Sequence, residues 1–356
     1  MDNVYRELAQ ILDRLPNGFP PTQSGVELKI LAKLFSPEQA GLACHLSLEP
    51  QTAAAISGRT GRDERATFAM LKSMVQKGLI EIERGQGGLA FKLMPFVVGF
   101  YERQNAQIDQ EFAQLFEDYY HEALYKMLTM KPSVHRIIPV QTAIPINIAV
   151  MPYERASGYL EGALSWGVLN CICRVQKKLI GQGCNHTIEN CLAFSSRANA
   201  FDRTDVIRAI SKEEALDVLA SADKEGLVHS TGNFREGVTY ICNCCTCACG
   251  LLRGIAEYGN FNSVAGSDFY AAIDGALCNG CGICLGRCLF KALDIEDGVC
   301  RIDTNRCLGC GLCVSACPTQ ALHLEQKPVA ERTPPPQNEE EWRLIRSQAK
   351  AQYRPF

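Results

Sequence analysis

The sequence lacks both a recognisable secretory signal and a long hydrophobic run. Its first residues, MDNVYRELAQ, do not place a basic segment before an apolar core, so we expect a cytoplasmic protein. The most apolar stretch, residues 137–151, contains two prolines and is too short to cross a bilayer, which predicts no direct membrane insertion. The sequence also has no GxGxxG nucleotide loop and no recognisable nucleophile–base pair. We therefore expect any substrate chemistry to reside on a partner.

A large excess of charge of either sign is absent as well. The 36 Lys and Arg residues nearly balance the 39 Asp and Glu residues, for a formal net charge of −3. This balance argues against a nucleic-acid or membrane-surface footprint over the whole chain. The composition, 47% hydrophobic and 21% charged, is that of a globular protein, and 356 residues predict two or three domains.

Cysteine, in contrast, is abundant and unevenly distributed. Of the 19 cysteines only Cys44 precedes residue 171; nine lie over residues 171–249 and nine over residues 278–317. Dense cysteines in a reducing compartment indicate metal or redox centres rather than disulfides. The pattern predicts a front half without metal chemistry and a back half full of it. Cys44 and Cys300 are interpreted as small buried apolar residues.

The front of the chain is predicted to contain several short helices and a hairpin. Periodicity and turn residues place helices at residues 4–15, 26–35, 37–47 with 51–58, and 62–77, and a hairpin at residues 79–83 with 89–94. This order resembles a winged-helix domain over residues 1–100. Residues 1–94 carry 11 basic and 10 acidic side chains, so we do not expect DNA binding. The interpretation is a docking or dimerisation module, which makes the N-terminal half a candidate for homo-oligomer contacts.

The connector that follows is predicted to be mainly helical. A long acidic helix is expected over residues 101–130, an extended segment over 132–152 and a further helix over 153–165. Ser211 and Glu214 form a capping box that predicts a helix through about residue 224. Beyond residue 327, a proline-containing linker and a charged helix offer Trp342 and Ile345 as partner anchors.

The strongest pattern is an internal duplication. The segment CNGCGICLGRCLFKAL at residues 278–293 repeats as CLGCGLCVSACPTQAL at residues 307–322, an offset of 29, and each copy reads C-x2-C-x2-C-x3-C. A [4Fe–4S] cluster needs one thiolate for each of its four irons. Zinc knuckles would need only the C-x2-C pairs and would leave the third and fourth cysteine of each copy unexplained. Cys288 is followed by Leu289, whereas Cys317 is followed by Pro318.

The nine upstream cysteines match no common spacing. They are Cys171, Cys173, Cys184, Cys191, Cys242, Cys244, Cys245, Cys247 and Cys249. If residues 242–249 were extended, Cys242 and Cys244 would face one side and the other three cysteines the opposite side. Three interpretations stay open: at least one further Fe–S cluster, a structural zinc site, or a redox-active dithiol. His186 is expected to be solvated rather than a ligand, and Arg174 is a candidate to offset cluster charge.

Residues 267–327 resemble the bacterial-type ferredoxins that carry two [4Fe–4S] clusters. Residues 150–327 resemble the larger 4Fe–4S dicluster-domain proteins of strict anaerobes, in which a Cys-rich domain precedes the ferredoxin fold. In those ferredoxins the fourth cysteine of each run binds the other cluster. The resemblance therefore implies one cluster on Cys278, Cys281, Cys284 and Cys317, and a second cluster on Cys307, Cys310, Cys313 and Cys288.

The resulting prediction is a multidomain α+β protein that carries electrons. The predicted parts are residues 1–100 (winged-helix-like), 101–165 (connector), 166–265 (Cys-rich), 266–327 (two-cluster ferredoxin) and 328–356 (linker and helix). The resemblance implies an electron carrier, or an electron-transfer subunit, that serves a partner oxidoreductase. Two alternatives remain: a redox-sensing winged-helix transcription regulator, and a catalytic reductase whose middle cluster binds substrate at an open iron.

Overall fold

The computed structural model describes residues 3–85, 88–144, 151–202, 204 and 206–352. The chain divides into two compact units, one comprising Met1–Met127 with Leu179–Gly181 and the other comprising Leu128–Lys178 with Gln182–Phe356. Helices and sheets occur in both, in agreement with the predicted α+β class. Residues 145–150 of the expected extended segment and residues 353–356 of the expected tail lie outside the described residues.

The first unit contains mostly short helices and one small sheet. Its helices are α1 (Asn3–Arg14), α2 (Val26–Leu34), α3 (Pro37–Ala43), α4 (Ala53–Thr60), α5 (Glu64–Gln76), α6 (Gln110–Tyr119) and α7 (Tyr125–Met127). Its strands β1 (Gln51–Thr52), β2 (Ile80–Gly85) and β3 (Gly88–Leu93) form an antiparallel sheet in the order β1-β3-β2. The predicted sequence of helices followed by a hairpin is confirmed at this level.

The single helix expected over residues 101–130 is wrong. The chain forms only a short 3₁₀ turn at Glu102–Gln104, and α6 starts at Gln110. The Asp109 side chain accepts a hydrogen bond from the Phe112 amide at 2.8 Å, so it caps a new helix instead of continuing an earlier one. A wider turn at Tyr120–Leu124 then separates α6 from α7.

The second unit is built around a seven-stranded sheet, with two smaller sheets beyond it. Its helices are α8 (Ala156–Glu161), α9 (Ile172–Leu179), α10 (Lys212–Glu225), α11 (Gly250–Tyr258), α12 (Ile283–Arg287), α13 (Leu312–Ser315) and α14 (Glu339–Gln352). Its strands are β4 (His135–Ile138), β5 (Ser165–Asn170), β6 (Glu189–Ser195), β7 (Arg208–Ile210), β8 (Val228–Gly232), β9 (Tyr240–Cys244), β10 (Val264–Ala265), β11 (Phe269–Ile273), β12 (Leu293–Glu296), β13 (Val299–Ile302) and β14 (Leu322–Gln326).

The large sheet has the order β10-β4-β8-β9-β6-β5-β7, in which only β10 and β4 pair in parallel. Leu192, Ile241 and Leu219 belong to the core that α8 and α10 build with this sheet. The predicted capping box is confirmed, because the Ser211 and Glu214 side chains each accept a hydrogen bond from the other residue's amide. The helix expected near residues 153–165 is present as α8 but is shorter: it ends at Glu161, next to Gly162, and Ser165 already begins β5.

The duplication at the C-terminal end is also a structural duplication. β11 pairs with β14, and β12 with β13, so each small sheet joins one strand from each copy. Backbone angles repeat with the same offset of 29, since Gly280 and Gly309 have φ of 67° and 68°, and Lys291 and Gln320 have φ of 52° and 56°. Sequence repeat and backbone repeat therefore coincide residue by residue.

The Gly309→Ala substitution tests this backbone. A methyl group at Gly309 would overlap the carbonyl of Phe269, and the positive φ adds strain. We expect the free energy of unfolding to fall by about 2–4 kcal/mol. Anaerobic thermal unfolding measures this, and Gly286→Ala in α12 is the matched control because a methyl group there meets open space. An equal loss of stability in the two variants would contradict the argument.

The C-terminal helix α14 packs within the second unit. Trp342 is buried, and its indole nitrogen donates a hydrogen bond to the Ser133 carbonyl at 3.0 Å. Arg346, also buried, donates to the Met130 carbonyl at 2.6 Å. The expectation of Trp342 as a partner anchor is therefore wrong, because its apolar surface is already covered by its own chain. Ile345 remains exposed.

Candidate metal centres

The two ferredoxin-like runs place their cysteines in two groups that each draw on both runs. A cavity is lined by Cys278, Cys281 and Cys284 of the first run together with Cys317, the last cysteine of the second. Conversely, Cys288 lies close enough to Cys307, Cys310 and Cys313 to raise the thiol pKa of all three electrostatically. Burial is the larger cause of these increases and raises the pKa of Cys310 to about 12.

Backbone amides point at the sulfurs of both groups in a symmetric pattern. The amide of Ala271 donates to Cys307 Sγ at 3.3 Å, and that of Cys300, 29 residues later, donates to Cys278 Sγ at 3.4 Å. The amide of Ala292 donates to Cys288 Sγ at 3.2 Å. Such donors stabilise negative charge on sulfur and tune a bound cluster.

At Cys317, hydrogen-bond donors lower the pKa of the thiol despite its burial. Burial alone would raise its pKa, but the amides of Leu322 and Ala321 and the Thr319 side chain outweigh burial and lower the pKa. Ala321 is 29 residues after Ala292, so the two copies repeat this contact as well. Thiolate is the form that binds metal, so this position is prepared for a ligand.

Six of the upstream cysteines form a closed ring of thiols, which we call the six-thiol ring. Each of these thiols affects the pKa of two others through side-chain interactions. In order around the ring they are Cys171, Cys173, Cys249, Cys244, Cys242 and Cys191. None of the six is in a disulfide, so all six sulfurs are available as metal ligands.

The strands of the large sheet place three members of the ring on one face. Successive side chains on a strand alternate between faces. Leu192 and Ile241, which pair across β6 and β9, point into the core, so the adjacent Cys191 and Cys242 point to the opposite face. Cys244, two residues further along β9, shares that face.

The other three members of the ring lie at the starts of two helices. Cys171 precedes α9, Cys173 lies in its first turn, and Cys249 precedes α11. The amides of Arg174 and Leu252 donate to Cys171 and Cys249, respectively. Unpaired amides and the helix dipole both favour negative charge at a helix N-terminus. The ring is therefore an environment suited to thiolates.

Two positions of the ring bear the negative charge most easily. Hydrogen bonds from Cys173 and Cys191 lower the pKa of Cys171 despite its burial. Hydrogen bonds from Cys242 and Cys249 likewise lower the pKa of Cys244, to about 6. Each of these two sulfurs therefore has two neighbouring thiols that favour its thiolate form.

Arg174 supplies positive charge beside these sulfurs. It is 2% exposed, and its guanidinium donates to Asn190 Oδ1, to the Thr187 carbonyl and to the Asn243 carbonyl at 2.7–2.8 Å. Burial opposes its charge, but Cys171, Cys245 and Cys244 keep its pKa above the ordinary value. The expectation that Arg174 offsets charge at the sulfurs agrees with this position.

A second, smaller group lies beside the ring. In the part of the chain that the structure describes, one set of Cys, His, Asp or Glu residues brings its donor atoms within 4.8 Å of one another: Cys184, His186, Cys245 and Cys247. We call this set the Cys3His group. His186 Nδ1 lies 3.7 Å from Glu225 Oε2. Burial lowers the pKa of His186, which favours the neutral ring that binds metals.

Residues 242–249 are extended only as far as Cys244, so the two-sided arrangement of a continuous strand does not form. β9 ends at Cys244, and residues 246–248 form a turn, so the strand alternation stops before Cys245. The turn sends Cys245 and Cys247 to the Cys3His group and returns Cys249 to the ring with Cys242 and Cys244. The same turn brings two thiols close to His186, which is partly buried and not fully solvated. The sequence features that could have indicated this group are two short spacings, Cys-x-His at residues 184–186 and Cys-x-Cys at residues 245–247.

Of the two remaining cysteines, Cys300 is buried as expected, whereas Cys44 is only partly buried. Cys44, in the first unit, is half-buried, and burial raises its pKa to about 11. Cys300 is 1% exposed, and burial raises its pKa to about 12. Its Sγ contacts Cys284 Sγ at 3.7 Å, so it also lines the cavity of the first ferredoxin-like group.

Comparisons with known proteins agree with the cysteine chemistry of the second run. Residues 301–323, which include Cys307, Cys310, Cys313 and Cys317, match the 4Fe-4S binding domain family. No curated protein and no solved structure is significantly similar to the chain. Among the described residues, no helix has the length and apolarity that a bilayer crossing requires. The C-terminal part of the chain therefore contains a ferredoxin-like iron–sulfur domain.

Proposed function

We propose that this protein relays single low-potential electrons to a partner oxidoreductase. In this proposal two [4Fe–4S] clusters bind to the ferredoxin-like groups and at least one further Fe–S cluster binds to the six-thiol ring. The observation that carries it is that two cross-run groups and a ring of six free thiols all occur within one compact unit.

The donor atoms fit this assignment. Soft thiolates select Fe–S clusters or zinc over harder cations. A [4Fe–4S] cluster needs four thiolate ligands, and the ring has six thiols. The sulfurs of the ring are also further apart than the donor atoms of the Cys3His group. The two additional thiols can donate hydrogen bonds to the ligating sulfurs.

When bound, each cluster accepts or releases one electron. The chain itself sets the environment of that event. Amides of Ala271, Ala292 and Cys300 stabilise charge on sulfur, and Arg174 adds positive charge near the ring. Each of these features changes the free energy of the reduced cluster, which carries one more negative charge, and so changes the reduction potential.

The ferredoxin-like repeat forms hydrogen bonds with the connector and with the Cys-rich region. In the connector, the Val140 amide donates to the carbonyl of Cys310 at 2.9 Å. At the end of α10, the hydroxyl of Ser315 donates to Asp223 Oδ1 at 2.8 Å, and Arg287 donates to the Lys224 carbonyl at 2.9 Å. These hydrogen bonds keep the two cysteine-bearing regions in fixed positions within the unit.

The first unit is proposed as a docking or dimerisation module of winged-helix type. The order α2 to α5 followed by the β2–β3 hairpin supports it. The same order favours a second candidate function, a redox-sensing regulator that binds DNA. The near balance of acidic and basic residues over residues 1–94 weakens it, because phosphate contacts need a basic surface. Salt-dependent DNA binding by the intact protein would favour the regulator over the carrier.

Metal analysis of anaerobically purified protein tests the electron-relay proposal. We expect about twelve or more iron atoms per chain with matching sulfide, and spin-coupled EPR signals after dithionite reduction. The reduced protein should then transfer electrons to an artificial acceptor. About eight iron atoms would contradict a cluster in the ring, and an absence of iron would contradict the proposal as a whole. A Cys44→Ala variant is the control and should keep the full iron content.

Replacing Arg174 should lower the reduction potential of the cluster bound to the ring. Arg174→Gln removes a buried positive charge that favours the reduced state, so we expect a decrease on the order of 50–100 mV, or about 1–2 kcal/mol. Redox titration followed by EPR measures the shift. Arg174→Lys, which keeps the charge, should shift less.

The control for Arg174 is another buried arginine, Arg346, which hydrogen-bonds the carbonyls of Met130 and Pro132. Arg346→Gln should leave the potential unchanged even if it reduces stability. An equal shift in the Arg174→Gln and Arg346→Gln variants would mean that the effect comes from general loosening of the fold and not from the charge.

A further inference from the structure

The Cys3His group differs from the other cysteine groups in its compactness. Its four donor atoms lie within 4.8 Å of one another, and Cys184 Sγ and Cys245 Sγ are 4.0 Å apart. Zinc binds thiolates at about 2.3 Å in a tetrahedron, which places the sulfurs about 3.8 Å apart. Thiolates on a [4Fe–4S] cluster are further apart because each one binds a different iron. The spacing of this group therefore fits one ion and not a cluster.

The composition of the group points to zinc. Three thiolates and one imidazole are a common structural zinc set, and four protein donors leave no open position for substrate. Glu225 occupies the place of a carboxylate that orients a metal-binding histidine: it lies beside His186 Nδ1, and it is itself fixed by the Thr187 amide at 2.9 Å. Each of the four ligands comes from a loop or turn, so an ion bound to them would join the two segments.

We propose that Cys184, His186, Cys245 and Cys247 bind one zinc ion that is separate from the iron–sulfur clusters. This zinc site joins the loop after α9 to the turn after β9. Cys245 is adjacent in sequence to Cys244 of the six-thiol ring, and Cys247 is two residues before Cys249. The ion thus fixes the turn that directs neighbouring cysteines to two different sites, and Glu225 acts as a positioning residue.

The test uses full-length protein purified anaerobically from zinc-supplemented cells. We expect one zinc per chain, and zinc X-ray absorption should report three sulfur neighbours at about 2.3 Å and one nitrogen at about 2.0–2.1 Å. His186→Ala and Cys247→Ala should each weaken zinc binding at least about 100-fold against a competing chelator, and Glu225→Gln about 10–100-fold. Iron content and EPR signals should change little in these variants.

His323→Ala is the matched control. His323 is also partly exposed and lies 3.8 Å from a carboxylate, that of Glu325, but it belongs to β14 of the ferredoxin-like repeat. Its replacement should leave zinc affinity unchanged.

Retained iron signals show that the variants fold, and Cys247 is exposed, so its replacement disturbs packing least. The proposal is overturned if the wild-type protein contains iron but no zinc. It is overturned equally if His186→Ala keeps the zinc–nitrogen signal, or if iron occupies these four donors. A wild-type protein that contains no iron would instead contradict the electron-relay proposal. Failure of the zinc proposal and failure of the electron-relay proposal are therefore distinguishable.

Discussion

Removing Cys288 together with Cys307 should cost no more iron than removing either residue alone. The Cys288→Ala variant is expected to lose about four iron atoms per chain, the content of one cluster. The Cys288→Ala/Cys307→Ala double variant should lose the same four atoms. In contrast, Cys288→Ala combined with Cys278→Ala should lose about eight. Iron and sulfide analysis of anaerobically purified protein measures all three.

The reason is the exchange of fourth cysteines between the two runs. Cys317 lines the same cavity as Cys278, Cys281 and Cys284, while Cys288 raises the pKa of Cys307 and its neighbours. The exchanged pairing of the strands brings these residues together, because each small sheet joins both copies. Residues that serve one cluster fail together, so their effects are not additive.

Cys300→Ala is the control for these variants. Cys300 lines the cavity and contacts Cys284, yet it falls outside the C-x2-C-x2-C-x3-C pattern, so iron content should not change. If each run instead held its own cluster, the Cys288→Ala/Cys307→Ala variant would lose about eight iron atoms. The Cys288→Ala/Cys278→Ala variant would then lose only about four. That reversal would contradict the cross-run assignment.

The sequence predicted most reliably the features that depend on local chemistry. The repeat with its offset of 29, and the capping box of Ser211 and Glu214, each require residues only a few positions apart, and both recur in the structure. The fourth cysteine of each run needed the family resemblance, because no local spacing states which sulfurs meet across two copies. The sequence pattern did not reveal the helix start at Asp109 or the helix end at Gly162, because the apolar periodicity continues past both points.

The grouping of the upstream cysteines could not be predicted from spacing. It depends on where β9 ends, and a strand longer by a few residues would have separated Cys249 from Cys242 and Cys244. The involvement of His186 depends on that same turn, since residues 184–186 and 245–247 are about 60 positions apart in the chain and meet only in the fold. Non-local contact decides which thiols share a metal, and a strand pattern alone does not contain that information.

The neighbouring cysteines Cys244 and Cys245 should therefore produce opposite metal losses. Cys244 belongs to the six-thiol ring and Cys245 to the Cys3His group, although they are adjacent in sequence. We expect Cys244→Ala to lose about four or more iron atoms and to keep its zinc. Cys245→Ala should lose the zinc and keep most of its iron. Parallel iron and zinc analysis, with EPR of the reduced protein, separates the two results.

A second pair of variants controls for position in the chain. Cys249→Ala should behave like Cys244→Ala, and Cys247→Ala like Cys245→Ala, because the turn at residues 246–248 returns the chain to the ring. If Cys245, Cys247 and Cys249 behaved alike, all three would serve one site, as an extended strand would require. Loss of both metals in every variant would mean instead that the ring and the Cys3His group form one cooperative centre, which would contradict two separate sites.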